Sequence, residues 1–265
     1  MTLYRLPIFK SAVPVDTSHP SHFVAPEMIQ SSLKKVCLAW VDYLQDFVDQ
    51  TTKLFEAPEL PWLCNERAMV SSLAAAIIRH FPNSIVVEEC RVPRVRKAPW
   101  GRCDLWASIP DRSHAGGRFN FYLEAKKSNF EITPDTLLDF LKSRWGMGRL
   151  IRTYTKNHAK PRSRLSAYID LTGRVHEHYV IGMLVTRLTA GKNVSATVRR
   201  NLHQFFENRQ TIEVRWKRIN GVITRGKRNL GRFPTAVVAV LPDDGNPGML
   251  AIFTVFGSTR ELLVK

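Results

Sequence analysis

The chain has 265 residues, 44% of them hydrophobic, and carries 39 Lys and Arg against 23 Asp and Glu, a formal net charge of +16. That length holds one large domain, or one domain with appendages, around a substantial core, and no run approaches the ~18 apolar residues of a membrane helix. The charge is lopsided: residues 1–130 hold 16 basic and 13 acidic side chains (+3), residues 131–265 hold 23 and 10 (+13). Such an excess suits a polyanionic partner through phosphate neutralisation. Nucleic acid is favoured over acidic lipid, because no basic amphipathic helix with an aromatic face stands out.

In chain order, residues 1–26 are rich in Pro, Ser and His and read as an irregular lead-in. They lack a continuous apolar stretch after a basic start, so no secretory signal is expected and a cytoplasmic location follows. From Pro26 the apolar residues Leu33, Val36, Trp40, Leu44 and Phe47 recur at helical spacing, which predicts a long amphipathic helix. This helix, near residues 27–50, is a candidate interaction element for a protein partner or a second copy of the chain. "EAPELP" breaks the pattern. "NERAMVSSLAAAIIRHF" predicts a second helix with Asn65 as N-cap.

"SIVVEECRV" then reads as a strand, "PRVRKAPWG" as a basic loop, and "GRCDLWASI" and "FNFYLEAKKS" as two strands joined by the turn "PDRSHAGGR". The pattern after Thr133 is helical to about residue 154. "YVIGMLVTRL" is strand-like, "NVSATVRRNLHQFFENR" helical, and "TIEVRWKRI", "TAVVAVLP" and "GMLAIFTVFG" are strand-like. Strands interleaved with helices predict an α/β fold: a central mixed sheet flanked by helices, with a basic α+β extension at the C-terminal end. The organisation expected is 1–62 lead-in and helix, 63–190 core, and 191–265 extension of the same domain. Cys37, Cys64, Cys90 and Cys103 form no C-x-x-C pair, so reduced structural cysteines are expected rather than a zinc site or disulfide framework.

The two strands around the turn carry charges in otherwise apolar runs. Alternation resolves this. Cys103, Leu105, Ala107 and Ile109 share one face; Arg102, Asp104, Trp106 and Ser108 share the other. Likewise Phe119, Phe121, Leu123 and Ala125 oppose Asn120, Tyr122, Glu124 and Lys126. An antiparallel hairpin brings Asp104 towards Glu124, with Lys126 on the same side and Lys127 on the opposite one. Two carboxylates at a sheet edge make a hard oxygen site suited to Mg²⁺ or Mn²⁺. A lysine beside them can orient or help deprotonate a water and stabilise charge developing on phosphorus. With 12 Glu and 14 Lys in the chain, chance alone supplies ~0.6 Glu-x-Lys triplets, so the triplet counts only with its context. The competing reading is a solvated strand face with a cross-strand ion pair of little energetic worth.

That context is an ordered set: a helix opening with Glu66, three strands carrying Asp104 and Glu124-x-Lys126, a helix and a further strand. It resembles the PD-(D/E)XK nuclease superfamily, the restriction-endonuclease-like fold, over roughly residues 64–190. The resemblance implies a metal-dependent nuclease, with Asp104 and Glu124 as metal ligands, the Ala125 carbonyl as a further oxygen, and Lys126 as the catalytic lysine. It implies that Glu66 joins the metal shell directly or through water. Cys103 stands where the family's name has proline. Members of this kind look like parts of restriction, defence or mobile-element systems, so DNA is the favoured substrate and endonuclease the favoured activity. The alternative is a non-catalytic nucleic-acid-binding or assembly protein that keeps the fold.

Other residues are candidates on position or charge. Arg144, Arg149 and Arg152 follow the site and are placed to hold a substrate phosphate. Arg199 and Arg200, and Lys217, Lys227 and Arg228 within "RWKRINGVITRGKRNLGR", are candidate backbone contacts, with Trp216 available for stacking. Glu88 and Glu89 read as loop or edge carboxylates beside the site, with entry of one into the metal shell as the alternative. "HEH" at 176–178 lacks a third ligand at obvious spacing and reads as a surface turn.

Overall fold

The computed structural model describes residues 3–9, 27–57, 59–93, 100–133, 135–142, 168–169, 175–189, 200, 212–214, 228–230, 236–242 and 247–258. The elements in chain order are β1 (Leu3–Phe9), α1 (Glu27–Phe55), α2 (Glu66–His80), β2 (Ile85–Pro93), β3 (Trp100–Pro110), β4 (Arg118–Ile132) and α3 (Leu137–Lys142). They continue with β5 (Tyr168–Ile169), β6 (Val175–His176), β7 (His178–Leu188), β8 (Ile212–Val214), β9 (Arg228–Leu230), β10 (Ala236–Pro242) and β11 (Gly248–Ser258). Seven strands form one mixed sheet in the order β1-β10-β11-β7-β4-β3-β2, and β5-β6 and β8-β9 are separate two-stranded ribbons. The fold is α/β, with every pairing in the large sheet antiparallel except β4 with β7. A parallel pair needs a crossover, and residues 133–177 supply it.

The helices form where the apolar spacing places them. Along α1, Ile29, Leu33, Val36, Trp40, Leu44 and Val48 are buried in a single stripe; along α2, Met69, Val70, Leu73 and Ile77 are. Both stripes meet the same face of the sheet, where Leu105, Ala107, Leu123, Ala125, Met183, Ala251 and Phe253 join their core. The polar atoms that come with this apolar area are satisfied: Trp40 Nε1 donates to Ser72 Oγ at 2.9 Å, and Trp62 Nε1 to the Pro247 carbonyl at 2.9 Å. The Trp40 ring meets Phe253 edge-on at 5.8 Å. The opposite face is covered as well, since Val180, Leu184, Ala239, Leu250 and Ile252 are fully buried.

Several expectations change. The lead-in is not wholly irregular: β1 pairs along its length with β10. Pro7 argues against a strand by propensity, yet β1 is the outer strand of the sheet, the position in which strands accommodate proline. The apolar stripe of α1 is spent on the chain's own core, with Trp40 and Leu44 at 0% exposure, which leaves the helix's other faces for any partner. The strand expected at "TIEVRWKRI" is described only as β8, outside the large sheet. The "HEH" turn is not a surface feature throughout, because His178 opens β7 and is buried. Of the helix expected to about residue 154, α3 is described and the remainder lies outside the described residues, as does the helix expected from 193 except for Arg200. β10 and β11 extend the sheet that holds β3 and β4, so the C-terminal part joins the same structural unit.

The β3–β4 hairpin closes through a turn in which Gly116 and Gly117 have φ of 78° and 70°, the left-handed region that glycine enters without a Cβ penalty. Its register pairs Pro110 with Arg118 through Leu105 with Leu123, and there the ladder stops. On the other side β2 pairs with β3 from Ile85–Ser108 to Glu88–Leu105 and resumes at Cys90–Cys103. Glu89, opposite Asp104, takes a φ of 50° instead. Both interruptions fall at Asp104.

Candidate active site

Where β3 and β4 part, side chains replace the missing ladder bonds. Asp104 Oδ2 accepts the Ala125 N–H at 2.7 Å, and Cys103 Sγ lies 3.0 Å from the Leu123 carbonyl. β4 itself is held on its other side by β7, with Glu124 opposite Gly182 and Lys126 opposite Leu184. The split therefore leaves the Asp104–Ala125 step bridged by a side chain while the strand carrying Glu124 and Lys126 stays in the sheet.

Lys126 Nζ is the point on which the oxygens converge. It lies 3.1 Å from Glu66 Oε1, 3.4 Å from Glu124 Oε1 and 3.9 Å from Asp104 Oδ2, and it donates to the Ala125 carbonyl. The structure thus brings together Asp104, Glu124, Ala125, Lys126 and Glu66. Glu66 opens α2 behind the Asn65 N-cap, which accepts the Ala68 N–H at 2.9 Å, and a carboxylate there also meets the positive end of the helix dipole. Its second oxygen accepts the Lys127 N–H at 2.9 Å. Glu66 therefore grips both β4 and the lysine.

The electrostatics follow from crowding. Asp104 is pushed up to about 6, by burial first and then by the Glu124 charge, against the pull of the Ala125 N–H and Lys126. Burial works to lower Lys126, but Glu124, Glu66 and Asp104 together outweigh it and hold the ammonium above its ordinary value. Lys126 is accordingly a cation at neutral pH, a donor and not a proton acceptor. Three carboxylates around one ammonium leave the cluster two negative charges in excess, and that excess adds to burial in raising Asp104.

Among the described residues, no three His, Cys, Asp or Glu side chains stand at metal-chelating spacing; the ammonium takes the middle of the set. The donors still fit a divalent cation in kind. Asp104 and Glu124 offer carboxylate oxygens and Ala125 a carbonyl, all hard ligands of the sort Mg²⁺ and Mn²⁺ select. Each already faces one positive charge.

The neighbouring residues have defined tasks. Arg67 pairs with Glu89, and Ser71 Oγ donates to Glu88 at 2.7 Å, so α2 holds both carboxylates of the outer strand β2. On the face that bears Glu124, the His178 ring stacks on Tyr122 at 5.4 Å and on Trp106 at 6.2 Å. Sequence reasoning set Lys127 aside because its side chain points away, and that side chain does reach the Cys64 carbonyl. Its backbone N–H lies in the plane of the sheet, however, where side-chain alternation says nothing, and there it anchors Glu66. Of the candidate phosphate contacts, Arg200 is exposed, and Arg228 opens β9. Arg144, Arg149, Arg152, Arg199, Lys217 and Lys227 lie outside the described residues. No helix among the described residues is long and apolar enough to cross a membrane. No family model, curated protein or solved structure matches the chain.

Proposed function

We propose that the chain is a Mg²⁺- or Mn²⁺-dependent nuclease that hydrolyses phosphodiester bonds, with DNA as substrate and internal cleavage as its action. One observation carries this reading: three carboxylates and a carbonyl from α2, β3 and β4 converge on a single cation and remain two charges short of neutrality. The order α2, β2, β3, β4, α3, β7 also follows that of a restriction-endonuclease-like core.

Asp104 and Glu124 would hold the metal, with the Ala125 carbonyl available once Lys126 releases it. A bound divalent ion supplies Lewis acidity and lowers the pKa of a ligated water. Lys126, kept cationic by its three partners, stabilises negative charge growing on the phosphate in the transition state. Glu66 positions Lys126 and fixes β4 through the Lys127 N–H. The excess of Lys and Arg in residues 131–265 neutralises phosphates along the substrate.

The test is incubation with supercoiled DNA, linear DNA and RNA, each with Mg²⁺, Mn²⁺ or EDTA. Cleavage of DNA is expected only with a divalent ion. Asp104→Ala and Lys126→Ala should slow it by about a hundredfold or more while binding in Ca²⁺ survives. Cleavage by Asp104→Ala at the parent rate would overturn the reading. Tight, salt-sensitive binding without cleavage of any substrate would favour the non-catalytic alternative.

A further inference from the structure

Cys90 and Cys103 are direct partners across the antiparallel β2–β3 ladder. They flank the broken step at which Glu89, in the left-handed region, faces Asp104. Cys103 is fully buried; Cys90, on the outer strand of the sheet, is half-buried and open to a small reagent. The other two cysteines differ: Cys37 is buried within α1 and Cys64 is exposed.

Geometry permits a bond between the pair. Residues directly opposite in an antiparallel ladder have Cα atoms about 4.5–5.5 Å apart, inside the roughly 4.4–6.8 Å that a disulfide spans. Cys103 Sγ meanwhile lies 3.0 Å from the Leu123 carbonyl, nearer than the Leu105 carbonyl at 3.3 Å, in the gap where Asp104 takes the Ala125 N–H. A bond to Cys90 removes the sulfur's proton and draws the sulfur towards β2. The Leu123 carbonyl then loses that donor, and the backbone beside Asp104 shifts with it.

We propose that Cys90 and Cys103 are a redox couple, closed to a disulfide by a low-molecular-weight disulfide such as oxidised glutathione, and that closure weakens cation binding at Asp104. Cys90, its proton lost to solvent, attacks one sulfur of the oxidant and expels one glutathione thiolate, forming a mixed disulfide. Cys103 then loses its proton and attacks the Cys90 sulfur, expelling the second. Two protein thiols give up two electrons and two protons in all, and the oxidant becomes two thiols. A dithiol reductant reopens the bond by thiol–disulfide exchange. The effect on cation binding rests on the reading of Asp104 as a ligand; the cross-link does not.

The experiment uses the full chain in a Cys64→Ser background, with Cys90→Ser as control, oxidised by excess glutathione disulfide. Trypsin should release peptide 80–91 joined to peptide 103–112, lost on reduction and absent from the control. Mn²⁺ affinity, read by titration, should fall about tenfold on oxidation, as when a group supporting a metal ligand is lost, and stay constant in Cys90→Ser. Stable glutathione on Cys90 without the joined peptide would overturn the couple. The joined peptide with unchanged Mn²⁺ affinity would overturn the switch. If reduced protein binds no Mn²⁺, the metal reading fails, the switch falls with it, and the peptide alone decides the couple.

Discussion

Asp104 is the residue at which site and stability oppose one another. Its carboxyl, at about 6 in the folded chain, lies above the ~3.9 of an unfolded aspartate, so the folded state holds the proton more tightly. The stability it contributes is therefore fully present below about pH 4 and is lost as pH rises through 6. Two pH units correspond to about 3 kcal/mol, and solvent screening of a side chain 30% exposed reduces this to on the order of 1–2 kcal/mol. Asp104→Asn keeps an oxygen for the Ala125 N–H and removes the charge. In EDTA it should melt higher than the parent at pH 8 and match it near pH 4. A variant equally shifted at both pH values would show that Asp104 is not strained by its charge. Such a cost is expected where a cluster is built to receive a cation.

At the scale of elements, the β3–β4 hairpin is aimed by its attachment to α1. Ser32 Oγ on α1 lies 2.7 Å from Asp111 Oδ2 and 2.8 Å from His114 Nε2, and Lys35 reaches the same Asp111 oxygen at 3.2 Å. A hydroxyl with one proton donates to the carboxylate and accepts from the ring N–H. Burial lowers His114, which keeps that ring neutral, and it sits against Phe119 and Tyr179 at 4.9 and 5.7 Å. Ser32→Ala removes the hub and strands the buried His114 Nε2, while Asp111 keeps Lys35 and Ser113. The expected cost is about 2 kcal/mol, a melting temperature lower by about 5 °C, with the site residues untouched. An unchanged melting temperature would show that α1 does not hold the turn. The hairpin itself was legible in "PDRSHAGGR" because turn chemistry is local. Its anchor was not, since Ser32 and Asp111 are 79 residues apart and only packing brings them together. The same division applies to the site. Alternation places Asp104, Glu124 and Lys126 on one face, and the N-cap at Asn65 marks where Glu66 enters. Neither the end of the β3–β4 ladder at Leu105 nor the Lys127 N–H bond has a sequence signal. β1 was missed for a further reason: it is a strand only because β10 offers an edge.

Across the whole molecule, charge and sheet divide the work. The acidic cluster comes from residues 66–124, while residues 131–265 hold a net +13. β10 and β11 carry that basic half back into the sheet that contains the cluster, so one structural unit holds a local negative site within a strongly positive chain. On the proposed function, the positive field would concentrate a polyanion, and the negative site would concentrate the divalent ion that the polyanion's own backbone also attracts. Binding and cleavage should then respond to different variables. Affinity for a labelled duplex in Ca²⁺ should fall with KCl at a log–log slope of about −4 or steeper, since each neutralised phosphate contributes about −0.9. At saturating substrate the cleavage rate should change far less with salt, because an ion held by Asp104 and Glu124 would act at short range, where salt screens little. Anisotropy titrations and single-turnover cleavage across one KCl series measure the two. A binding slope near zero would mean that the +16 charge serves some purpose other than holding nucleic acid. A cleavage rate falling in parallel with affinity at saturation would mean that the basic half takes part in the chemical step itself.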